Sequence, residues 1–545
     1  MRTAFTRFPG SLLSLAATVA ALGTAAAQET HQHRPGSEGL GRVNFPVSCT
    51  PEARLRFEHA MAVLHSFWWE EGPGAFSAVL EADSSCSMAH WGLALNAWGN
   101  PFAGGPNEEG LTRGAEAARR AASRAAPSRR EQGFIAAAAA LYRDVAATSN
   151  AVRLQAYADT MARLRQDFPG DTEIAIYHAL SLVATAPRTD TTFTQQKRAA
   201  AILSPLFERY PNHPGLAHYI IHSNDSPRLA GLGLDAARRY ARIAPAAPHA
   251  QHMPSHIFVR LGLWDETVAS NRKSFMAGMA HARATGQNGA TYHELHALDY
   301  EVYGHLQRGR DSSARAAVAT GQALHIPPAQ SGLVLDYNRT AMAARIPLER
   351  GEWKTAAGFP PPPADAPGVG AALSRFTRAL GAARSGRPAA ARSEVAALDA
   401  ITGDLARRQE PYWARVAGIK RDAADAWVRF AMGDTLAALD LARVAADSED
   451  VTDKHPVTPA ELLPARELQA DMLLAAGRYA EARQAYLATL GREPGRARSM
   501  FGAARAAQLA GDRKAAGESY REFLDLMSKA DGGRPELVTA KAFVH

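Results

Sequence analysis

The sequence predicts an all-α helical-repeat solenoid, and three observations carry that prediction. Near the C-terminus GRYAEARQAYLATL is followed by GDRKAAGESYREFL, so that Gly477 and Gly511, Ala482 and Ala516, Tyr486 and Tyr520, and Leu490 and Leu524 each stand 34 residues apart. Two His-x3-His pairs, His218 with His222 and His252 with His256, show the same offset of 34, the length of a two-helix repeat unit. Helix-compatible periodicity with almost no strand-like alternation runs from about Glu52 to about Ser528. At 545 residues the chain exceeds the size at which one core keeps growing, and a repeat array needs no single large core.

Taken in order, the first 27 residues read as a signal peptide: Arg2 and Arg7, an apolar stretch from Leu12 to Leu22, then Ala25-Ala26-Ala27 before Gln28. Export to the periplasm or the medium is expected. No later apolar run approaches the ~20 residues a membrane span needs. Residues 28–51 read as an extended N-terminal arm. The only cysteines, Cys49 and Cys86, are expected to pair in an oxidising compartment and clamp the first helical pair. Residues 52–357 form a His-rich helical array, and 358–370, GFPPPPADAPGVG, cannot be helical because its prolines lack donors and clash. A boundary is placed there. Residues 371–545 form a second array in which His455 is the only internal histidine. The formal charge of +7 includes Arg2 and Arg7, and no basic run is interleaved with aromatics, which argues against nucleic-acid binding. Ala- and Arg-rich stretches such as GAEAARRAASRAA read as exposed second helices.

The 34-residue repeats, together with RLGLWDETVASN around Gly262 and Trp264, QRGRDSSARAA around Gly309 and AHWGLAL around Trp91, resemble the tetratricopeptide repeat superfamily. LHSFWWEE and HMPSHIF are similar to segments of His-rich exported bacterial tetratricopeptide proteins of unassigned function. The resemblance implies a right-handed superhelix of antiparallel helix pairs, with first helices lining a concave groove and second helices forming the outer wall. It further implies a peptide, a small molecule or a partner protein as occupant of that groove. In this frame His65, His90, His178, His218, His222, His252, His256, His293 and His296 fall on or at the start of first helices.

Of 19 histidines, 12 lie between His178 and His325, and that excess is the main functional clue. Residues four apart on a helix share a face and can converge on one ion. HYIIH fits directly. HMPSH fits less directly, because Pro254 disfavours helix at Met253; His252 is expected in the turn ahead of its helix, with His249 as a substitute. YHELHALDY adds His293, Glu294, His296 and Asp299, and Asp225 follows His222 by three residues. The candidate metal ligands are His178, His218, His222, His249, His252, His256, His293, His296 and Asp299; Asp225 and Glu294 are the candidate general bases. Taken singly, His90 and His178 read as ordinary core histidines; His178 is expected to approach the site from the preceding repeat. Imidazoles with one or two carboxylates suit copper, zinc or iron, while His31, His33 and His545 read as solvated. There is no HExxH or CxxCH, which excludes a zincin and covalent haem, and no convincing serine elbow or phosphate loop. Two readings stay open: a protein binding one or two transition-metal ions, as an oxidoreductase or hydrolase, and a non-catalytic scaffold for proteins or peptides.

Overall fold

Among the described residues, seven inter-helix turns are built the same way. A helix ends, one residue caps it, a glycine follows with positive φ, and the next helix begins two residues after that glycine. The glycines are Gly262, Gly309, Gly351, Gly386, Gly433, Gly477 and Gly511, with φ between 65° and 89°, and the helices they introduce start at Trp264, Asp311, Trp353, Pro388, Thr435, Tyr479 and Arg513. In each turn the N–H of the residue after the glycine donates across it, as Leu263 does to the Phe258 carbonyl at 2.9 Å and Asp512 to Ala507 at 3.0 Å. This closure satisfies an orphaned carbonyl at the helix end and requires a left-handed residue, which glycine supplies at no steric cost. Repetition of one turn along the chain is what makes the fold a stack of helix pairs.

The computed structural model describes residues 39–124, 128–287, 289–327, 332–363 and 368–544. The signal peptide 1–27 and the start of the arm lie outside the described residues, among which there is no strand. No described helix is long and apolar enough to cross a membrane. Many helices in the first half start on a side-chain cap, including Thr50, Asn107, Ser128, Ser149 and Asp171, whose oxygens accept the otherwise orphaned first-turn N–H groups.

The arm residues 39–50 are non-helical and bury Leu40, Val43, Phe45 and Val47. Gly39 O accepts from Ala246 N, and Arg42 N donates to Asn212 O, each at 2.9 Å; Ser48 gives both its N–H and its hydroxyl to Glu131 at 2.7 Å. Cys49 and Cys86 are disulfide-bonded across a sequence separation of 37. Chain-entropy arguments give such a loop about 4 kcal/mol of stabilisation. Reduction, or the Cys49→Ala/Cys86→Ala pair, is therefore expected to lower unfolding free energy by up to that amount, read from urea midpoints under oxidising and reducing conditions.

Residues 358–363 are non-helical, and helices on either side of them share one core. Tyr337, Ala341 and Leu348 of the helix Leu333–Glu349 share that core with Leu373, Phe376 and Leu380 beyond the proline-rich run. The irregular segment 451–464, between the helices Thr435–Asp450 and Ala465–Ala475, folds back onto the His-rich half: Tyr300 Oη donates to Pro456 O at 3.0 Å and to Thr458 O at 3.1 Å.

Candidate metal centre

The helix Pro214–Asn224 opens with Pro214 in its first turn, where the missing donor costs nothing, behind the N-cap His213. It presents His218 and His222 one turn apart. The next first helix is split into Pro248–His252 and Pro254–Arg260. Met253 stays right-handed helical between them, at φ −52° and ψ −35°, so the split keeps its direction and His252 still meets His256. His296 comes from the helix Tyr292–Gln307.

These side chains form two trios. His218, His222 and His249 offer ring nitrogens that all lie within 4.8 Å of one another, and so do His252, His256 and His296. In the first, His218 Nε2 is 3.1 Å from His222 Nε2 and 3.2 Å from His249 Nε2. In the second, His252 Nε2 and His256 Nε2 are 2.9 Å apart. The trios are neighbours, with ring centroids 6.0 Å apart for His222 and His256 and 5.9 Å for His249 and His252. All six rings are buried, none more than 9% exposed. They sit inside the packed helices rather than along an open groove.

The outer nitrogens reveal the protonation pattern. His218 Nδ1 donates to the His65 carbonyl at 2.7 Å, and His256 Nδ1 donates to Asp225 Oδ2 at 2.8 Å. His252 Nδ1 meets Asn271 Oδ1 at 2.6 Å, an amide oriented by its own Nδ2 donating to Thr267 O at 2.8 Å. Each of these partners accepts, so each Nδ1 carries the proton and each neutral ring turns an Nε2 lone pair inward. Burial and the neighbouring imidazoles press His252 well below the ordinary histidine range. Burial, with Lys454 and Arg260, also lowers His256 against the pull of Asp225, and burial brings His218 down to about 3. Two inward lone pairs at 2.9 Å repel unless a cation lies between them. A tetrahedral ion with 2.0–2.1 Å bonds would hold its ligand nitrogens about 3.3 Å apart, close to the separations found.

A third group, His65, Glu173 and His213, lacks this feature. Glu173 accepts from His213 Nε2 at 2.9 Å and His65 Nε2 at 3.1 Å. His65 Nδ1 is bonded to Tyr219 Oη at 3.0 Å, and His213 Nδ1 accepts from Leu216 N at 3.3 Å. Burial alone would raise Glu173, yet His213 and His65 hold it at about 2. Every polar atom has its partner, and the group braces the His65 carbonyl that orients His218.

The remaining sequence candidates fall elsewhere. His249 is not a substitute for His252 but the third member of the other trio. His178 is in neither; it stands on the helix Thr172–Ala184, and its pKa is lowered by burial and by Arg198 and Arg165. His293 flanks His249, ring centroids 5.7 Å apart, without joining the trio. Asp299 is fully buried and paired with Arg345 at 2.7 and 3.3 Å, because Arg345 arrives on its face from a later helix. Glu294 closes a capping box, accepting from Thr291 N at 2.7 Å and Oγ1 at 2.8 Å, so its carboxylate is committed to the helix start. Asp225 is held well below the usual carboxylate range by Lys454, Arg260 and His256, although burial works the other way. Its Oδ2 accepts from His256 Nδ1 at 2.8 Å and its Oδ1 from Arg260 Nε at 2.9 Å, so both carboxylate oxygens are engaged.

Sequence reasoning passed over Phe67, Phe102, Asn271 and Lys454. Phe67 occupies a helix-end turn like the seven glycine turns, with Trp68 N donating to Val63 O at 3.2 Å, but at φ 51° without being glycine. Its ring stacks on His249 and lies edge-on to His218 at 4.4 Å, while Phe102 packs on His222 at 4.3 Å. A bulky left-handed residue costs about 1–3 kcal/mol and persists where its surroundings demand it. The signal was in the pattern: an aromatic where the turn asks for glycine. Both Phe67→Gly and Phe67→Ala lose a buried ring, about 3–5 kcal/mol, but only glycine relieves the backbone. Phe67→Gly is therefore expected to be the more stable variant by about 1 kcal/mol, the reverse of the usual order, measured by urea denaturation.

No family model matches the chain, and no curated protein matches it. Among solved structures it is similar to an IFIT1 monomeric mutant bound to Gppp-AAAA, at 13% identity over 90% of each chain and a TM-score of 0.36. It is also similar to yeast Tom70, at 11% identity over 91% of this chain and 89% of that one, TM-score 0.25. The P58(IPK) TPR domain is a third such structure, at 13% identity over 69% of this chain and 98% of that one, TM-score 0.20. Likenesses of this size carry no argument about function. The repeated helix pairs and their recurrent turn make the architecture a helical-repeat solenoid.

Proposed function

We propose that this protein binds two transition-metal ions side by side, one in each histidine trio, and works as a metal-dependent oxidoreductase. The observation that carries the reading is the 2.9 Å approach of His252 Nε2 to His256 Nε2, with both outer nitrogens committed as donors. Six neutral imidazoles with no carboxylate or thiolate among them suit copper, and zinc second. Paired iron or manganese sites in helical proteins draw on carboxylates, which this donor set lacks. Three imidazoles per ion leave a position open for a reactant, as catalytic sites do. A copper pair, when bound, would supply two-electron redox chemistry; zinc in the same positions would favour hydrolysis.

The chain's own residues prepare the site. The His65 carbonyl, Asn271 and Asp225 fix three rings in the tautomer that points Nε2 inward, the arrangement by which outer partners tune ligating histidines. Phe67 packs on His218 and His249, and Phe102 on His222, so apolar rings hold the first trio's imidazoles in place. The Cys49–Cys86 bond supports an exported, oxidising location, periplasmic or secreted. Elemental analysis of protein purified from its native compartment tests the proposal. Copper is the expected metal; zinc alone would turn the reading to a hydrolase, and a metal-free protein would return the chain to a peptide- or protein-binding scaffold.

A further inference from the structure

A pocket of about 240 Å³ reaches the first trio at His222 and is lined by Phe102, Phe193, Arg188, Asp225 and Lys454 among others. It joins the His-rich half to the irregular segment 451–464. Lys454 is 7% exposed, and its Nζ has no hydrogen-bond partner. The one carboxylate oxygen within ion-pair distance among the described residues, Asp225 Oδ2 at 3.6 Å, already accepts from His256. Arg188 has no ion pair among the described residues; its guanidinium lies over the Tyr412 ring at 5.3 Å.

The pocket's carboxylates are all spoken for. Asp225 serves His256 and Arg260. Asp453 accepts from Arg260 Nη2 at 2.9 Å, and Asp190 accepts from the backbone of Thr192 and Thr194 at 2.8 and 3.1 Å. Two cations thus face the cavity without a dedicated counter-charge, and a buried ammonium without a hydrogen bond is costly. Gln196 Oε1 and Ser226 Oγ, on the same walls, are also buried without partners. The volume lies below the ~300–1,000 Å³ of pockets for drug-sized ligands, and Phe102 and Phe193 supply aromatic walls.

We infer that this pocket binds a small, single-ring aromatic monocarboxylate, its carboxylate on Lys454 and Arg188 and a ring hydroxyl on Gln196 or Ser226, as the substrate class of the adjoining metal centre. Three carboxylates on the walls disfavour a dianion such as phosphate. The inference rests on the proposed metal centre for the word substrate, but the binding itself needs only the pocket.

The test is calorimetric titration of the full-length mature protein, metal-free and copper-loaded, with 4-hydroxybenzoate, its neutral analogue 4-hydroxybenzyl alcohol, and inorganic phosphate. The acid is expected to bind at least about ten-fold more tightly than the alcohol, and Lys454→Met to weaken it by about ten-fold or more, the scale of one charge-assisted hydrogen bond. Arg188→Met, half-buried and belonging to neither trio, is expected to weaken the acid several-fold with metal content and helicity unchanged, and it carries the test if Lys454→Met fails to fold. Equal affinity for acid and alcohol, preference for phosphate, or wild-type affinity in Arg188→Met overturns the inference. Acid binding by a protein that takes up no metal would sink the metal proposal alone, and two bound ions with no acid binding would sink the pocket alone.

Discussion

Replacing Asp299 by alanine is expected to destabilise the protein by about 3–5 kcal/mol, the cost of breaking a buried ion pair from one side, while leaving metal content unchanged in the fraction that folds. Arg345 is fully buried. Besides Asp299 it donates to Ala460 O at 2.9 Å, Thr458 Oγ1 at 3.0 Å and Glu461 O at 3.2 Å, so it fastens the irregular segment 451–464 to the His-rich half. Without the carboxylate, a desolvated guanidinium keeps only neutral acceptors. Urea denaturation paired with elemental analysis separates the two roles: intact stability with loss of metal would make Asp299 a ligand after all.

Asp225→Ala is expected to have the second largest effect, on metal binding and stability together. The carboxylate bonds His256 Nδ1 and Arg260 Nε and faces the Lys454 ammonium. Its removal frees the His256 ring to rotate and leaves two buried cations short of charge. Affinity at the second trio should fall by about 10–100-fold, the usual effect of losing an orienting partner, and stability by several kcal/mol. Asp225→Asn keeps an acceptor for His256 and should retain more of the metal affinity than of the stability. An Asp225→Ala variant that binds both ions normally but loses turnover would restore the general-base role.

The helical repeat and the two His-x3-His pairs were legible because both are periodic, and a 34-residue phase puts equivalent residues on equivalent helices. His249 was harder. Pro254 signals a break, which suggested that His252 would leave the helix, whereas Met253 keeps helical angles and leaves both His252 and His249 in use. Asp299 shares a helical face with His296, but facing direction says nothing of what arrives opposite, and here it is Arg345 from a helix 46 residues on. Glu294 lies three residues after Thr291, a capping-box spacing that outranks a catalytic reading of the same residue. Lys454 lay beyond reach, because its closeness to His256 and Asp225 comes from the superhelix folding a distant loop back and has no local sequence signal.

Metal stoichiometry, trio by trio, tests the central claim most directly. Purified protein stripped of metal, loaded with copper and desalted, should hold two ions per chain. His218→Ala/His222→Ala and His252→Ala/His256→Ala should each hold one, and the four-fold variant none, with helicity near wild type because solenoid stability is spread over many repeat interfaces. One ion or none in the wild type, or double variants that still bind two, would contradict the paired trihistidine centre.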